Sequence, residues 1–251
     1  MGENIKNKQG GIKPPLCILG TADSLAEAPF GDDSVEMWAS GTAIAFPACE
    51  RADKVFELHP RRYWGSPAVM ERYIDFDGPV YMQDHYDEIP NSVAYPHEEI
   101  KKRFHLDAMG NNLYVTNTIT WMILLAILEG YTDISLYGVH MSHETEYAYQ
   151  RSSCSWALGI IHGRIIDGAT VNGQKYRLHI AEASSLLKAE YEYGYDEPTK
   201  AMQYLQGRLQ GLKAGVSEAT IKIDNLTERK LRTEGAISEA THIYEKLAGF
   251  K

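Results

Sequence analysis

Basic side chains are in short supply: 25 Lys and Arg stand against 34 Asp and Glu in 251 residues, and the formal charge of -9 repels nucleic-acid backbones and anionic lipid. Nucleic acid is therefore not expected as a partner, and a bound nucleotide has to be held by local groups. Long apolar runs are missing too. The longest, Trp121 to Leu128, falls far short of the roughly 20 residues of a membrane span, which excludes insertion. Cysteines number only three, Cys17, Cys49 and Cys154, widely spaced, without a CxxC pair and without a signal-like N-terminus. That pattern predicts a reducing, cytoplasmic setting and no disulfide framework. G-x-G-x-x-G, Gly-Lys-Ser/Thr and H-E-x-x-H are all absent, so the dinucleotide fingerprint, the P-loop and the zinc-protease helix are excluded, and no metal is expected.

What is present is an ordinary globular composition, 44% hydrophobic and 24% charged. Residues 1–13 are polar and aperiodic and read as a flexible tail. From Pro14 onward short continuous apolar runs, the mark of buried parallel strands, occur at Leu16 to Leu19, Glu36 to Ala39, Lys54 to Leu58, Pro79 to Met82 and Ile134 to Tyr137. Helical stretches lie between them at Thr42 to Glu50, Ser66 to Tyr73 and Thr116 to Glu129. Alternation of strand and helix predicts an α/β domain over 14–197, a mainly parallel sheet with helices on both faces.

Residues 198–251 differ. From Met202 to Leu247 every third and fourth residue is apolar or nearly so, with Lys230 and Thr233 as the polar interruptions. A strict seven-residue repeat of this length predicts a coiled coil and a homo-oligomer. The alternative is a helical hairpin bent at Gly211 and Gly215.

Four stretches carry polar chemistry. Gly20-Thr21-Ala22-Asp23-Ser24 closes the first strand and opens a helix, where backbone N–H groups and the helix dipole can seat a phosphate; a plain capped turn is the alternative. Glu57-Leu58-His59 ends the third strand, with Glu57 and His59 on one face at the edge where open α/β sheets bind ligands, and Arg61 and Arg62 follow. Tyr81 to Pro96, including Gln83, reads as a rigid irregular loop. Asn117 opens a helix as its cap or as a nucleoside contact. The richest stretch, Gly138 to Arg151, follows the strand at Tyr137 as a loop entering a helix: Glu146, Tyr149, Gln150 and Arg151 lie on neighbouring turns and converge on one polar surface, and a metal on His140, His143 and Glu144 is the alternative. Ser184-Ser185 begins another helix.

With these residues in order, the chain resembles a group of uncharacterised bacteriophage proteins through Ile18 to Leu25, Glu57-Leu58-His59, Leu136 to Met141 and Glu146 to Arg151. More distantly it resembles the sialyltransferase-like superfamily of bacterial sialyltransferases, motility-accessory-factor glycosyltransferases and hydroxymethylpterin diphosphokinases. The resemblance spans Leu16 to Lys188. It implies a Rossmann-like fold that binds a nucleotide or nucleotide-sugar, and hence a nucleotide-dependent transferase, in the host cytoplasm if the chain is phage-encoded. Gly20, Thr21 and Ser24 would hold phosphate and Asn117 and Ser184 the nucleoside, with Gln83, Gly138, Tyr149, Gln150 and Arg151 completing the nucleotide site. His59 or His140 would act as base, with Glu57 and Glu146 as the candidate acidic groups and Arg151 or Arg61 balancing the leaving group. A protein that sequesters or degrades a nucleotide signal, and an assembly protein whose coiled coil is its function, are the alternatives.

Overall fold

The computed structural model describes residues 11–106, 115–141, 144–189, 192, 194–195 and 199–249, with only the backbone of 144–148 and 201. Most of the expected tail, and Pro198 at the expected boundary, lie outside these residues. The chain divides into two units, 1–188 and 189–251.

Among the described residues the first unit is built on nine strands: β1 (Leu16–Leu19), β2 (Glu36–Ser40), β3 (Lys54–Phe56), β4 (Val80–Met82), β5 (Ser92–Ala94), β6 (Asp133–Tyr137), β7 (Thr170–Val171), β8 (Gln174–Lys175) and β9 (Arg177–Ile180). The α-helices described with them are α1 (Pro67–Ile74), α2 (His97–Arg103), α3 (Thr118–Glu129) and α4 (Glu144–Ile166). Seven strands form one sheet in the order β5-β4-β3-β2-β1-β6-β9, every neighbouring pair parallel. Strand order reverses at β1, which has β2 on one side and β6 on the other. The crevice beyond the carboxyl ends of β1 and β6 is the switch point where such sheets bind ligands.

Side chains alternate across the sheet and build two cores. Leu16, Ile18, Trp38, Phe56, Ile134 and Leu136 pack under α3 and α4. Cys17, Leu19, Met37, Ala39 and Val55 face the other way, against Leu25 and the α1 residue Tyr73. Burial pushes the Cys17 and Cys154 thiols up to about 12, so neither is a nucleophile near neutral pH. The α3 helix is buried almost all round, capped at its start by Asn117, whose Oδ1 accepts from the Thr120 amide at 2.8 Å, and at its end by Gly130 at φ 87°. Thr42 to Glu50 does not form the expected helix; only a short 3-10 turn, Gly41–Ala45, stands there. No described helix is long and apolar enough to cross a membrane.

The amino edge of the sheet is fastened by charge. Glu36 accepts from Trp38 Nε1 at 2.7 Å and Tyr131 Oη at 2.5 Å, and Lys54 Nζ lies 3.1 Å from Glu36 and 3.3 Å from Glu129. Burial pushes the Glu36 carboxyl up, but these hydrogen bonds and the Lys54 charge outweigh it and hold it below the ordinary 4.5. A carboxyl depressed in the folded state stabilises above its unfolded value and loses that contribution as pH falls through the folded value. Urea unfolding at pH 7 and pH 3 is therefore expected to show a larger acid loss for the natural chain than for Glu36→Gln, with the variant about 1–3 kcal/mol weaker at pH 7. Equal acid losses would contradict the assignment.

The second unit contains α5 (Lys200–Ala248), one helix of 49 residues that continues through Gly211 and Gly215 without a break. The hairpin alternative is thereby removed.

Candidate active site

A cavity of about 680 Å³ opens at the switch point, within the range typical of small-molecule and cofactor sites. Each of the four central strands delivers residues to it. Gly20 to Asp23 follow β1, Ser40 ends β2 and Gly41 and Thr42 follow it, Glu57 and His59 follow β3, and Gly138 to Met141 follow β6. Tyr63, the start of α3 at Thr116 to Ile119, and Gln150 of α4 complete the lining.

Glu57 is the residue out of place by ordinary rules, a carboxylate only 2% exposed. Its two oxygens are shared out. Oε1 accepts from the His59 amide at 3.1 Å and meets His59 Nδ1 at 2.6 Å, while Oε2 accepts from Tyr73 Oη at 2.9 Å. Burial and the Glu57 charge push the Tyr73 phenol far above its ordinary 10, so it stays a donor. Gly41 makes room for the carboxylate, since a Cβ there would lie 2.4 Å from Glu57 Oε2. The His59 backbone is fixed by Trp64 Nε1, which donates to its carbonyl at 2.9 Å, and the imidazole remains 60% exposed. A buried anion orienting an accessible imidazole is the arrangement of a histidine base.

His140 lines the same cavity but is differently engaged. Its Nε2 lies 2.9 Å from Ser24 Oγ, which also accepts from the Gly138 amide at 2.9 Å. Ser24 is buried, so this hydroxyl ties the turn after β1 to the turn after β6 and does not line the cavity. The same two turns are pressed together through their backbones. Gly20 N–H donates to Tyr137 O at 2.8 Å and Ala22 N–H to Gly138 O at 2.9 Å. The Gly20 turn thus differs from the expected N–H cradle: these two amides are used by the β6 edge, and the turn opens a five-residue 3-10 segment, Asp23–Glu27. The longer dipole pointing at the cavity belongs to α3.

Several other expected residues brace the site without lining it. Ser184 Oγ donates to Val139 O at 2.6 Å and Ser185 Oγ to His140 O at 3.0 Å, while Arg151 holds Ser185 through its hydroxyl and carbonyl at 3.1 and 2.7 Å. This brace supports Met141 at φ 50°, a left-handed backbone that costs a bulky residue on the order of 1 kcal/mol. Gln83 Nε2 donates to Leu58 O at 3.0 Å, Arg61 pairs with Glu88 at 2.7 Å, and Tyr149 is exposed; none of the three lines the cavity. Asn117 and Gln150 do line it, and Asn117 Nδ2 donates to the Gln150 carbonyl at 3.0 Å, which pins α3 to α4. The Glu146 and Glu144 side chains and the whole of His143 lie outside the described residues. Thr21 and Gly138 line the cavity. Ser40, Thr42, Thr116, Thr118 and Tyr63 were not anticipated as lining residues, although Ser40-Gly41-Thr42 repeats, at the end of β2, the small hydroxyl pattern that singled out Gly20-Thr21.

No family model matches the chain, and no curated protein matches it significantly. Among solved structures it is similar to the sialyltransferase CstII from Campylobacter jejuni in complex with a substrate analogue, cytidine-5'-monophosphate, at 13% identity over 77% of this chain and 99% of that one, with a TM-score of 0.45. The same enzyme in complex with CMP-3FNeuAc is similar at 13% identity over 67% and 80% of the two chains, with a TM-score of 0.46. The α/β assignment rests on the chain's own sheet order and parallel register.

Proposed function

We propose that the crevice binds a nucleotide-activated sugar and transfers the sugar to an acceptor hydroxyl, with His59 as general base. The observation that carries this reading is the buried Glu57 carboxylate, hydrogen-bonded on both oxygens and orienting an accessible imidazole beside the switch-point cavity. With Nδ1 committed to Glu57, proton transfer runs through Nε2. It takes the acceptor's hydroxyl proton while that oxygen bonds to the anomeric carbon; the bond from this carbon to the phosphate oxygen breaks, and the nucleotide leaves with the electron pair. Glu57 stabilises the imidazolium as it forms.

The charge on the departing phosphate needs a counterpart, and no Lys or Arg lines the cavity among the described residues. The positive end of α3 supplies it, together with the hydroxyls of Thr21, Ser40, Thr42 and Thr118. His140 acts in this account as a strut between the two turns. Incubation with separate nucleotides and nucleotide-sugars, followed by native mass spectrometry, tests the reading through bound mass and product mass. Sugar transfer to an added acceptor is expected. Binding of nucleotides without any turnover would leave a sequestering protein, and no binding at all would refute the site.

A further inference from the structure

The α5 helix presents its seven-residue repeat as a narrow stripe. The first seam positions, Met202, Val216, Ile223 and Ile237 among them, alternate with second positions such as Leu205, Leu212 and Leu226, and the large apolar residues of the stripe are 46–73% exposed. Nothing else in its unit is long enough to cover a helix of about 74 Å. The repeat has period 3.5 rather than 3.6, and that period keeps a seam facing another helix that supercoils with it. The positions beside the seam are largely polar, with Arg208, Lys213, Lys222, Arg229 and Glu234 among them. Higher assemblies bury those flanks; two strands leave them in water.

We infer that two copies of this chain pair through α5, antiparallel and in full overlap about the midpoint between Ile223 and Leu226. Direction follows from the polar layers. Side by side in parallel, Lys230 would meet the partner's Lys230 inside the seam and Tyr244 the partner's Tyr244. Antiparallel, Lys230 lies against the partner's Ala219, whose small side chain leaves space for the lysine stem, while the ammonium keeps Glu234 on its own helix, 3.6 Å away. Thr233 then meets the partner's Val216, Tyr244 the partner's Leu205 and Met202 the partner's Leu247, so no seam residue is left over at either end. Away from the centre of the overlap Lys213 faces the partner's Glu234, an attractive contact. The Lys222 and Arg229 contact is the one like-charge cost.

Sedimentation of the full chain is expected to give twice the monomer mass, and Leu226→Asp with Ile237→Asp, which buries charge in the seam, is expected to give the monomer with an unchanged near-ultraviolet spectrum. Direction is read by oxidative cross-linking. Co-expressed Ala219→Cys and Lys230→Cys chains are expected to form a disulfide dimer, whereas neither variant alone does so beyond the level of the parent chain with its own Cys49. In an antiparallel pair the two copies of position 219 lie about 16 Å apart. A monomeric natural chain, any mass other than the dimer's, or a double-Asp variant that still pairs would overturn the pairing. Efficient cross-linking of each single variant with itself would overturn the direction.

Discussion

Replacing His59 by asparagine is expected to lower turnover of the bound nucleotide-sugar by roughly 10²–10⁴-fold while donor binding changes little, because a base acts on the acceptor's proton and not on the donor's affinity. Glu57→Gln is expected to fall in the same direction. The amide keeps the shape but presents no anion to the imidazolium, and it cannot accept from both Tyr73 and His59 as the carboxylate does. His140→Asn separates the two histidines. Its effect is expected on stability, through the Ser24 contact, with a smaller effect on turnover in whatever protein remains folded. Steady-state rates and a donor-binding titration on the three variants check this. Full turnover in His59→Asn, or the large loss in His140→Asn instead, would reverse the assignment.

Valine at Gly20 or Gly138 is expected to damage folding rather than ligand binding alone. A Cβ on Gly20 would sit 2.3 Å from the Gly138 carbonyl oxygen, and one on Gly138 would sit 2.6 Å from the Gly20 carbonyl oxygen, so backbone meets backbone in both cases. Gly138 also has φ +70°, which a β-branched residue occupies only under strain. Two central strands would have to part. A loss of about 3 kcal/mol or more, roughly 10 °C in melting temperature for a unit of this size, is expected for each variant. Sequence alone reads Gly20 as the place where a phosphate comes close, and so predicts a folded Gly20→Val protein that no longer binds. Thermal melts decide between the two, since an unshifted melt with binding lost would restore the cradle.

The first strand is legible because a parallel strand buried on both faces is a continuous apolar run, as Leu16 to Leu19 is; Ile134 to Tyr137 is legible from its buried alternate residues Ile134 and Leu136. Short edge strands carry no such mark. Val93 and Ala94 of β5 are exposed, and the prolines around them favour a loop in a linear reading; β9, with Arg177 and His179 exposed, has no continuous apolar run either. The hairpin of β7 and β8 turns on Asn172-Gly173, both at positive φ, a dipeptide that marks such turns in the sequence.

At the site, spacing two apart at a strand end puts Glu57 and His59 on one side of the carboxyl edge, while their hydrogen bond forms in the segment just beyond β3, which stops at Phe56. What could not follow was which hydroxyl and arginine residues face inward. Ser24, Ser184 and Arg151 look like ligand-binding residues in a linear reading, and the structure uses them to lock turns whose contacts span 34 to 116 positions in sequence. The burial of Glu57 under Gly41 is equally invisible until β2 and β3 lie side by side.

A crystal structure with a nucleotide-sugar that native mass spectrometry shows to bind is expected to place the phosphate at the first turn of α3 beside Thr116 and Thr118, with the anomeric carbon on the His59 side of the crevice. A donor bound elsewhere on the molecule, or one seated in the crevice with its sugar turned away from His59 towards His140, would contradict it.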